Sequence, residues 1–152
     1  MATTTGSDWQ YGAPSTPNPG GGAVTSGNSG ANCWGTNLND VYAAVTNTKL
    51  RSPVIDLTGI TTATLSFAQA IDIQPGHTLV VNVIEEATDT VLQSAIHTST
   101  PDLSTTTADW ETITVATPIT GGQKVRIEWH FVGDGDGFYL GAYIDDVVVT
   151  TP

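Results

Sequence analysis

Gln123-Lys124-Val125-Arg126-Ile127-Glu128-Trp129-His130-Phe131-Val132 alternates apolar and polar residues without a break. Val125, Ile127, Trp129 and Phe131 point one way and Lys124, Arg126, Glu128 and His130 the other, the period-two pattern of a strand with one face on a core. The same period recurs outward from this stretch. Leu65, Phe67 and Ile71 alternate with Thr64, Ser66, Ala68 and Ala70. Leu79, Val81 and Val83 alternate with Val80, Asn82 and Ile84, a strand expected to be covered on both faces. Further strands are predicted over 49–56, 90–97, 110–116 and 138–150. Pro75-Gly76, Ala87-Thr88-Asp89, Gly121-Gly122 and Gly133-Asp134-Gly135-Asp136-Gly137 supply the turns between them.

About eight strands without a helical pattern predict an all-β fold, an antiparallel β-sandwich. The first 48 residues differ. The stretch 6–35 is rich in Gly, Pro, Ser and Asn yet carries Trp9, Tyr11 and Trp34, and large aromatics argue for an ordered loop that wraps the sandwich. A chain of 152 residues fits one module over 1–152, with 1–7 and 150–152 expected to be linker. No internal repeat is present.

The chain has 15 acidic and 4 basic residues, a net charge of −11. That field repels phosphate backbones and anionic membrane surfaces, which excludes a nucleic-acid role, and it favours a bound divalent cation. Only 12% of residues are charged, and 26 threonines with Ser, Asn and Gly fill the polar positions, a composition typical of secreted bacterial β-modules. The single Cys33 excludes an internal disulfide and supports neither a redox pair nor a cysteine zinc site. No run suits a membrane span, and Met1-Ala2-Thr3-Thr4-Thr5 is not a signal peptide, so a secreted protein would carry its signal elsewhere in a longer parent chain.

Tyr143-Ile144-Asp145-Asp146-Val147-Val148-Val149 sets two carboxylates inside an apolar, β-branched run. Strict alternation puts Asp145 with Val147 and Val149, and Asp146 with Ile144 and Val148. A carboxylate at the rim of a core has to be paired, hydrogen-bonded or bound to a metal. Two arrangements satisfy the pair. One is a structural Ca2+ site whose other oxygens come from Thr36-Asn37-Leu38-Asn39-Asp40, the alternate polar residues of a loop. In the other the carboxylates accept backbone N–H bonds, with Arg51 or Arg126 as counter-ion.

Asp134-Gly135-Asp136-Gly137 has the D-x-D-G start of a calcium loop but lacks the later ligands, so it reads first as a glycine-rich turn and second as a further metal position. No nucleophile or zinc motif appears, and His77, His97 and His130 stand apart from any carboxylate at a recognisable spacing. A carboxylate pair among Glu85, Glu86, Glu111 and Glu128 would leave no sequence mark. The expectation is a non-enzyme. Trp34, Tyr42, Phe138 and Tyr139 lie in loops or near strand ends, where planar rings stack on sugars or anchor a protein contact; the alternative is that such aromatics pin the N-terminal wrap.

Four stretches in order carry a resemblance. They are Asp8-Trp9-Gln10-Tyr11-Gly12-Ala13-Pro14-Ser15, Asn32-Cys33-Trp34-Gly35-Thr36-Asn37-Leu38-Asn39, Leu50-Arg51-Ser52-Pro53-Val54-Ile55-Asp56-Leu57 and Tyr143-Ile144-Asp145-Asp146-Val147. Together they resemble the MAM-like jelly-roll modules of secreted bacterial proteins, of the cleaved-adhesin (choice-of-anchor J) type, as attached to immune inhibitor A-like proteases. The resemblance implies a calcium-stabilised jelly roll that serves as a non-catalytic accessory or adhesion module, secreted or at the cell surface. Its partner would be a polysaccharide, a surface or matrix protein, or another domain of a parent chain. It also implies a metal held between Asn37, Asn39 and Asp40 and the last strand's Asp145 and Asp146. The chain departs from the pattern at Ala68, Ala70, Gly141-Ala142 and Glu86-Ala87-Thr88-Asp89, where surface aromatics and a glycine hairpin are missing.

Overall fold

A computed structural model describes residues 2–5, 9–15, 24–43, 46–101, 109–133 and 139–152. In chain order its strands are β1 (Thr3–Thr5), β2 (Gln10–Gly12), β3 (Cys33–Gly35), β4 (Thr46–Arg51), β5 (Ile55–Asp56), β6 (Thr62–Asp72), β7 (Thr78–Glu85), β8 (Thr90–Ser99), β9 (Glu111–Thr114), β10 (Ile119–Thr120), β11 (Lys124–Gly133) and β12 (Gly141–Thr150). They form two antiparallel sheets. Sheet A runs β1-β4-β11-β7-β8, with β5 continuing the β4 side of β11. Sheet B runs β10-β6-β12-β3-β2, with β9 also on β6.

The inward residues of both sheets make one core. Leu50, Val81, Val83, Ile127, Trp129 and Phe131 of sheet A meet Leu65, Phe67, Ala142 and Ile144 of sheet B. Phe67 packs edge-on to Trp129 with ring centroids 5.5 Å apart, the arrangement ring quadrupoles prefer. A second apolar cluster of Val24, Cys33, Leu38, Ala70, Leu140 and Tyr143 lies on the other face of sheet B, half of it from the N-terminal wrap. Burial there pushes the Cys33 thiol up to about 12, helped by the nearby charge of Asp145, so it packs as a small apolar group.

Three expectations change. The N-terminal stretch is a wrap, but it contributes β1, β2 and β3. Thr3–Thr5, expected to be linker, pairs with Lys49–Arg51, and Thr150 belongs to β12. Alternation also breaks in the last strand. A β-bulge separates Asp145 from Val148, and Asp146 takes φ 46°. The extra residue reverses the phase, so Ile144 and Val149 both pack on the inner core.

Sheet A holds the third. Glu128 alternates onto its outer face, where a solvated side chain is expected, yet it is 0% exposed. Arg51 donates Nε to its Oε2 at 2.7 Å, Asn82 donates to Oε1 at 3.3 Å, and Lys49 Nζ lies 3.5 Å from Oε1. Burial opposes the charge of Glu128. The hydrogen bonds from Arg51 and Asn82 and the charges of Lys49 and Arg51 outweigh it and hold the carboxyl below its usual range. Arg51 also pairs with Asp89 in the β7–β8 turn, and Asn82 Oδ1 accepts the Ala95 N–H at a bulge in β8. A polar chain thus crosses the sheet from β4 to β8.

Candidate functional site

The antiparallel pairing of β3 with β12 sets Trp34 beside Ile144 and Gly35 beside Tyr143. Two consequences follow for the last strand. The residues just before β3 run alongside Asp145 and Asp146. Asn37 is level with Gly141, four residues and about 13 Å short of Asp145 along the strand.

The hydrogen bonds agree with that register. Asn28 Nδ2 donates to Asp146 Oδ2 at 2.7 Å, the Ser29 hydroxyl donates to Asp146 Oδ1, and the Ser29 N–H donates to Asp145 Oδ2 at 3.1 Å. Asp145 Oδ1 accepts the N–H of Asp146 at 2.8 Å. The bonds from Ser29 and Asn28 hold the Asp146 carboxyl below its usual range. Arg51 and Arg126, the expected counter-ions, are turned elsewhere: Arg51 to Glu128 and Asp89, Arg126 to the carbonyl of Ser52. Among the described residues no Lys or Arg forms an ion pair with Asp145 or Asp146.

Asn37, Asn39 and Asp40 are not brought to that point. Asn37 Oδ1 accepts the N–H groups of Asn39 and Asp40, Asn39 Oδ1 accepts the Ser15 hydroxyl, and Asp40 Oδ1 accepts the Val41 N–H. Their loop joins the last strand through different atoms. Thr36 N–H donates to the Ala142 carbonyl and Tyr143 Oη donates to the Asn37 carbonyl at 3.0 Å. The N-terminal wrap is therefore tied to β12 at two places, and the carboxylates serve the Asn28–Ser29 one. Asp134, Asp136 and Phe138 lie outside the described residues. Among the described residues no group of three His, Cys, Asp or Glu side chains converges as a metal site.

Tyr42 is removed from the ligand-facing set. It is 1% exposed, its hydroxyl is 2.7 Å from His77 Nδ1 and accepts the Gln74 N–H, and its ring packs edge-on to Phe131. Burial pushes its hydroxyl up to about 12. Tyr139 is half-buried against the core, and its carbonyl accepts the Tyr42 N–H. Trp34 stays available. It is half-buried and tilts 45° to Tyr11 with centroids 5.3 Å apart, and Tyr11 is 63% exposed.

These two rings stand at a cleft of about 610 Å3 where Ala2 and β4 of sheet A part from β3 and β12 of sheet B. Leu50, Trp129 and Ile144 line it from the core side, Pro53 and Val147 lie along it, and Arg51, Asp145 and Asp146 add charge. The volume falls in the range of small-ligand sites, which pair an apolar wall with a few polar groups. Tyr11 shares the wrap with Trp9 and Trp34, and nothing local in the sequence separates the three. Trp9 is 5% exposed in the core, whereas β2 pairing with β3 sets Tyr11 directly opposite Trp34.

Of the glutamates considered for hydrolysis, Glu111 and Glu128 lie on different sheets. Glu128 is held by Arg51 on sheet A, and Glu111 accepts the Gln69 amide at 2.8 Å on sheet B. His97 meets Ser99 at 3.1 Å, but the Ser99 hydroxyl donates to Gln69 Oε1, so its proton points away from the imidazole. Burial lowers the His97 pKa despite the opposing charge of Glu111. No described helix is long and apolar enough to cross a membrane.

No protein-family model matches the chain, and no curated protein matches it. Solved structures do. The K1 cleaved adhesin domain of Lys-gingipain from Porphyromonas gingivalis W83 superposes with a TM-score of 0.60 at 18% identity, over 99% of this chain and 90% of that one. The C-terminal CBM6 of LamC, a laminarinase from Zobellia galactanivorans, gives 0.55 at 12% identity over 97% and 90%. TmCBM61, solved in complex with beta-1,4-galactotriose, gives 0.54 at 11% identity over 100% and 88%. The chain is an all-β jelly-roll sandwich with the fold of a cleaved-adhesin domain.

Proposed function

We propose that this chain is a non-catalytic carbohydrate-binding module of a secreted or cell-surface bacterial protein, taking a sugar ring on Tyr11 and Trp34 at the mouth of the cleft. The observation that carries the reading is the aromatic pair itself. Trp34 is half-buried against the core edge, and Tyr11, 5.3 Å from it over a 610 Å3 cleft, keeps its ring 63% exposed outside either core cluster. Pyranose rings present apolar C–H faces to such rings and hydroxyls to acceptors such as the carboxylates of Asp145 and Asp146. The fold shared with two carbohydrate-binding modules supports the same reading.

Affinity electrophoresis in gels containing neutral polysaccharides tests it. Retardation of the wild-type chain should fall about ten- to a hundredfold in affinity for Trp34→Ala and for Tyr11→Ala, the loss expected of a central aromatic anchor. Unretarded wild type across β-glucans, galactans, xylans and mannans would remove the reading. So would equal retardation of the variants.

A second reading has its own observation. Val54 and Val147 are 40% and 42% exposed, Val147 along the cleft and Val54 between two cleft residues, and with Tyr11 they offer apolar surface to a neighbouring domain or a second copy. Concentration-dependent sedimentation that Trp34→Ala abolishes, without glycan binding, would favour it.

Calcium belongs to the proposal as well, in a revised place. Each of the four carboxylate oxygens of Asp145 and Asp146 accepts one donor and keeps acceptor capacity, and no cationic side chain neutralises the two charges. Those carboxylates would hold the ion, with the Asn28–Ser29 segment beside them and without Asn37, Asn39 or Asp40. Its contribution would be to neutralise the pair and tighten the wrap.

A further inference from the structure

All four basic residues of the chain, Lys49, Arg51, Lys124 and Arg126, lie on one face of one sheet. The chain has fifteen acidic residues against these four. The placement is linear. On β4, Lys49 is level with His130 and Arg51 with Glu128. Arg126 and Lys124 continue the row on β11, and Lys124 pairs with Asp56 of β5. One cation therefore occurs at each successive two-residue level, a track of four charges about 20 Å long. His130 borders it, its Nε2 2.7 Å from Asn47 Oδ1.

The acids on this face engage part of the track. Glu128, buried beneath it, pairs with Lys49 and Arg51, and Asp89 pairs with Arg51 as well, so the open charges are those of Lys49, Lys124 and Arg126. Asp56 lies 3.9 Å from Lys124 with both side chains more than half exposed, an ion pair of little worth that a ligand can displace. Arg126 donates to a backbone carbonyl, and no described carboxylate forms an ion pair with it. Lys49 keeps 32% of its side chain exposed while leaning on Glu128.

We infer that the outer face of sheet A binds a linear acidic glycan, one bearing carboxylates or sulfates along its length, separately from the aromatic cleft. Charge complementarity selects the occupant. A chain of net charge −11 repels polyanions at long range, so confining every cation to one straight row gives a local track that only an extended anion can follow. The described side chains of the row include no aromatic ring to stack a nucleobase, which favours a polysaccharide over a nucleic acid. The two sites meet only at Arg51, which also lines the cleft; Trp34 and Tyr11 lie on sheet B, and Lys124 and Arg126 do not line the cleft.

Isothermal titration calorimetry at low ionic strength, with an oligogalacturonate, a sulfated glucan oligomer and a neutral glucan oligomer, decides it. At least one acidic oligomer should bind, the neutral one should not compete with it, and affinity should fall as salt screens the contacts. The carboxylate and sulfate arms identify the anion. Lys124→Gln with Arg126→Gln, both on exposed or half-exposed side chains, should weaken binding roughly tenfold or more, as two lost charge contacts imply. Trp34→Ala should leave it unchanged. Circular dichroism and an unchanged Tm would show that the double variant folds. Absence of heat with both acidic oligomers would overturn the inference. It would also fall if the folded double variant bound like wild type, or if duplex DNA bound as tightly as the glycans.

Discussion

Replacing Glu128 by Gln tests the polar chain across sheet A. The substitution keeps the side chain's shape and removes its charge at a position that is 0% exposed. Three donors then face an amide: Arg51 Nε at 2.7 Å, Asn82 Nδ2 at 3.3 Å and Lys49 Nζ at 3.5 Å. One amide oxygen can accept from some of them, but the amide nitrogen faces donors. A charge-assisted hydrogen bond contributes about 1.5–3 kcal/mol, and breaking a fully buried pair costs about 3–5 kcal/mol. Arg51 retains Asp89 and 17% of its side-chain exposure, which puts the expected loss at about 2–4 kcal/mol. At about 2–4 °C per kcal/mol for a chain of this size, Tm should fall by about 4–16 °C.

The pH dependence gives a second readout of the same variant. The folded pKa of Glu128 lies below its ordinary value of 4.5, so its contribution is complete above that value. It is lost as pH falls through the folded pKa. The gap between wild type and Glu128→Gln should therefore be constant from neutral pH down to about pH 5 and close below pH 4.5. Thermal unfolding followed by circular dichroism at several pH values measures both effects. A Tm within about 2 °C of wild type at neutral pH would refute the reasoning, as would a gap that widens in acid.

Two further outcomes concern the tie between the wrap and β12. Calcium at a hundredfold excess over its Kd should stabilise the fold by about 2.7 kcal/mol, and Asp145→Asn with Asp146→Asn should abolish the response; a wild-type Tm that EDTA and added calcium leave in place would remove the ion from the account. A Cβ on Gly27 would stand 2.4 Å from the Asn32 carbonyl oxygen and 2.8 Å from Asp145 Oδ2, so Gly27→Ala should cost about 1–3 kcal/mol and speed exchange of the Ser29 amide, and urea unfolding unchanged from wild type would contradict that crowding.

The strands were legible because alternation is a local property. The inward row Val125, Ile127, Trp129 and Phe131 forms the core side of β11 as its spacing demands. What failed to show was pairing at a distance. Asp145 and Asp146 need partners wherever an apolar run holds them, but the identity of the partners depends on the register of β3 against β12. That register brings up Asn28 and Ser29 and carries Asn37 to the far end of the strand. Tyr42 looked like a loop aromatic until His77, thirty-five residues away, met its hydroxyl in the core. Glu128 had the pattern of a solvated residue because alternation does not say how long neighbouring side chains will lie over a sheet. The bulge at Asp146 leaves no mark in an unbroken apolar run, yet it reverses the phase of everything after it.

The central claim is that a sugar ring stacks on Tyr11 and Trp34. Its most direct test follows the tryptophan indole N–H resonances of the isotope-labelled chain during titration with a neutral oligosaccharide that retards it in gels. The account predicts a saturable shift of the Trp34 indole, with the Tyr11 ring moving at the same midpoint and the indoles of Trp9 and Trp110 unmoved. A saturated complex in which the Trp34 resonance stays in place would contradict it.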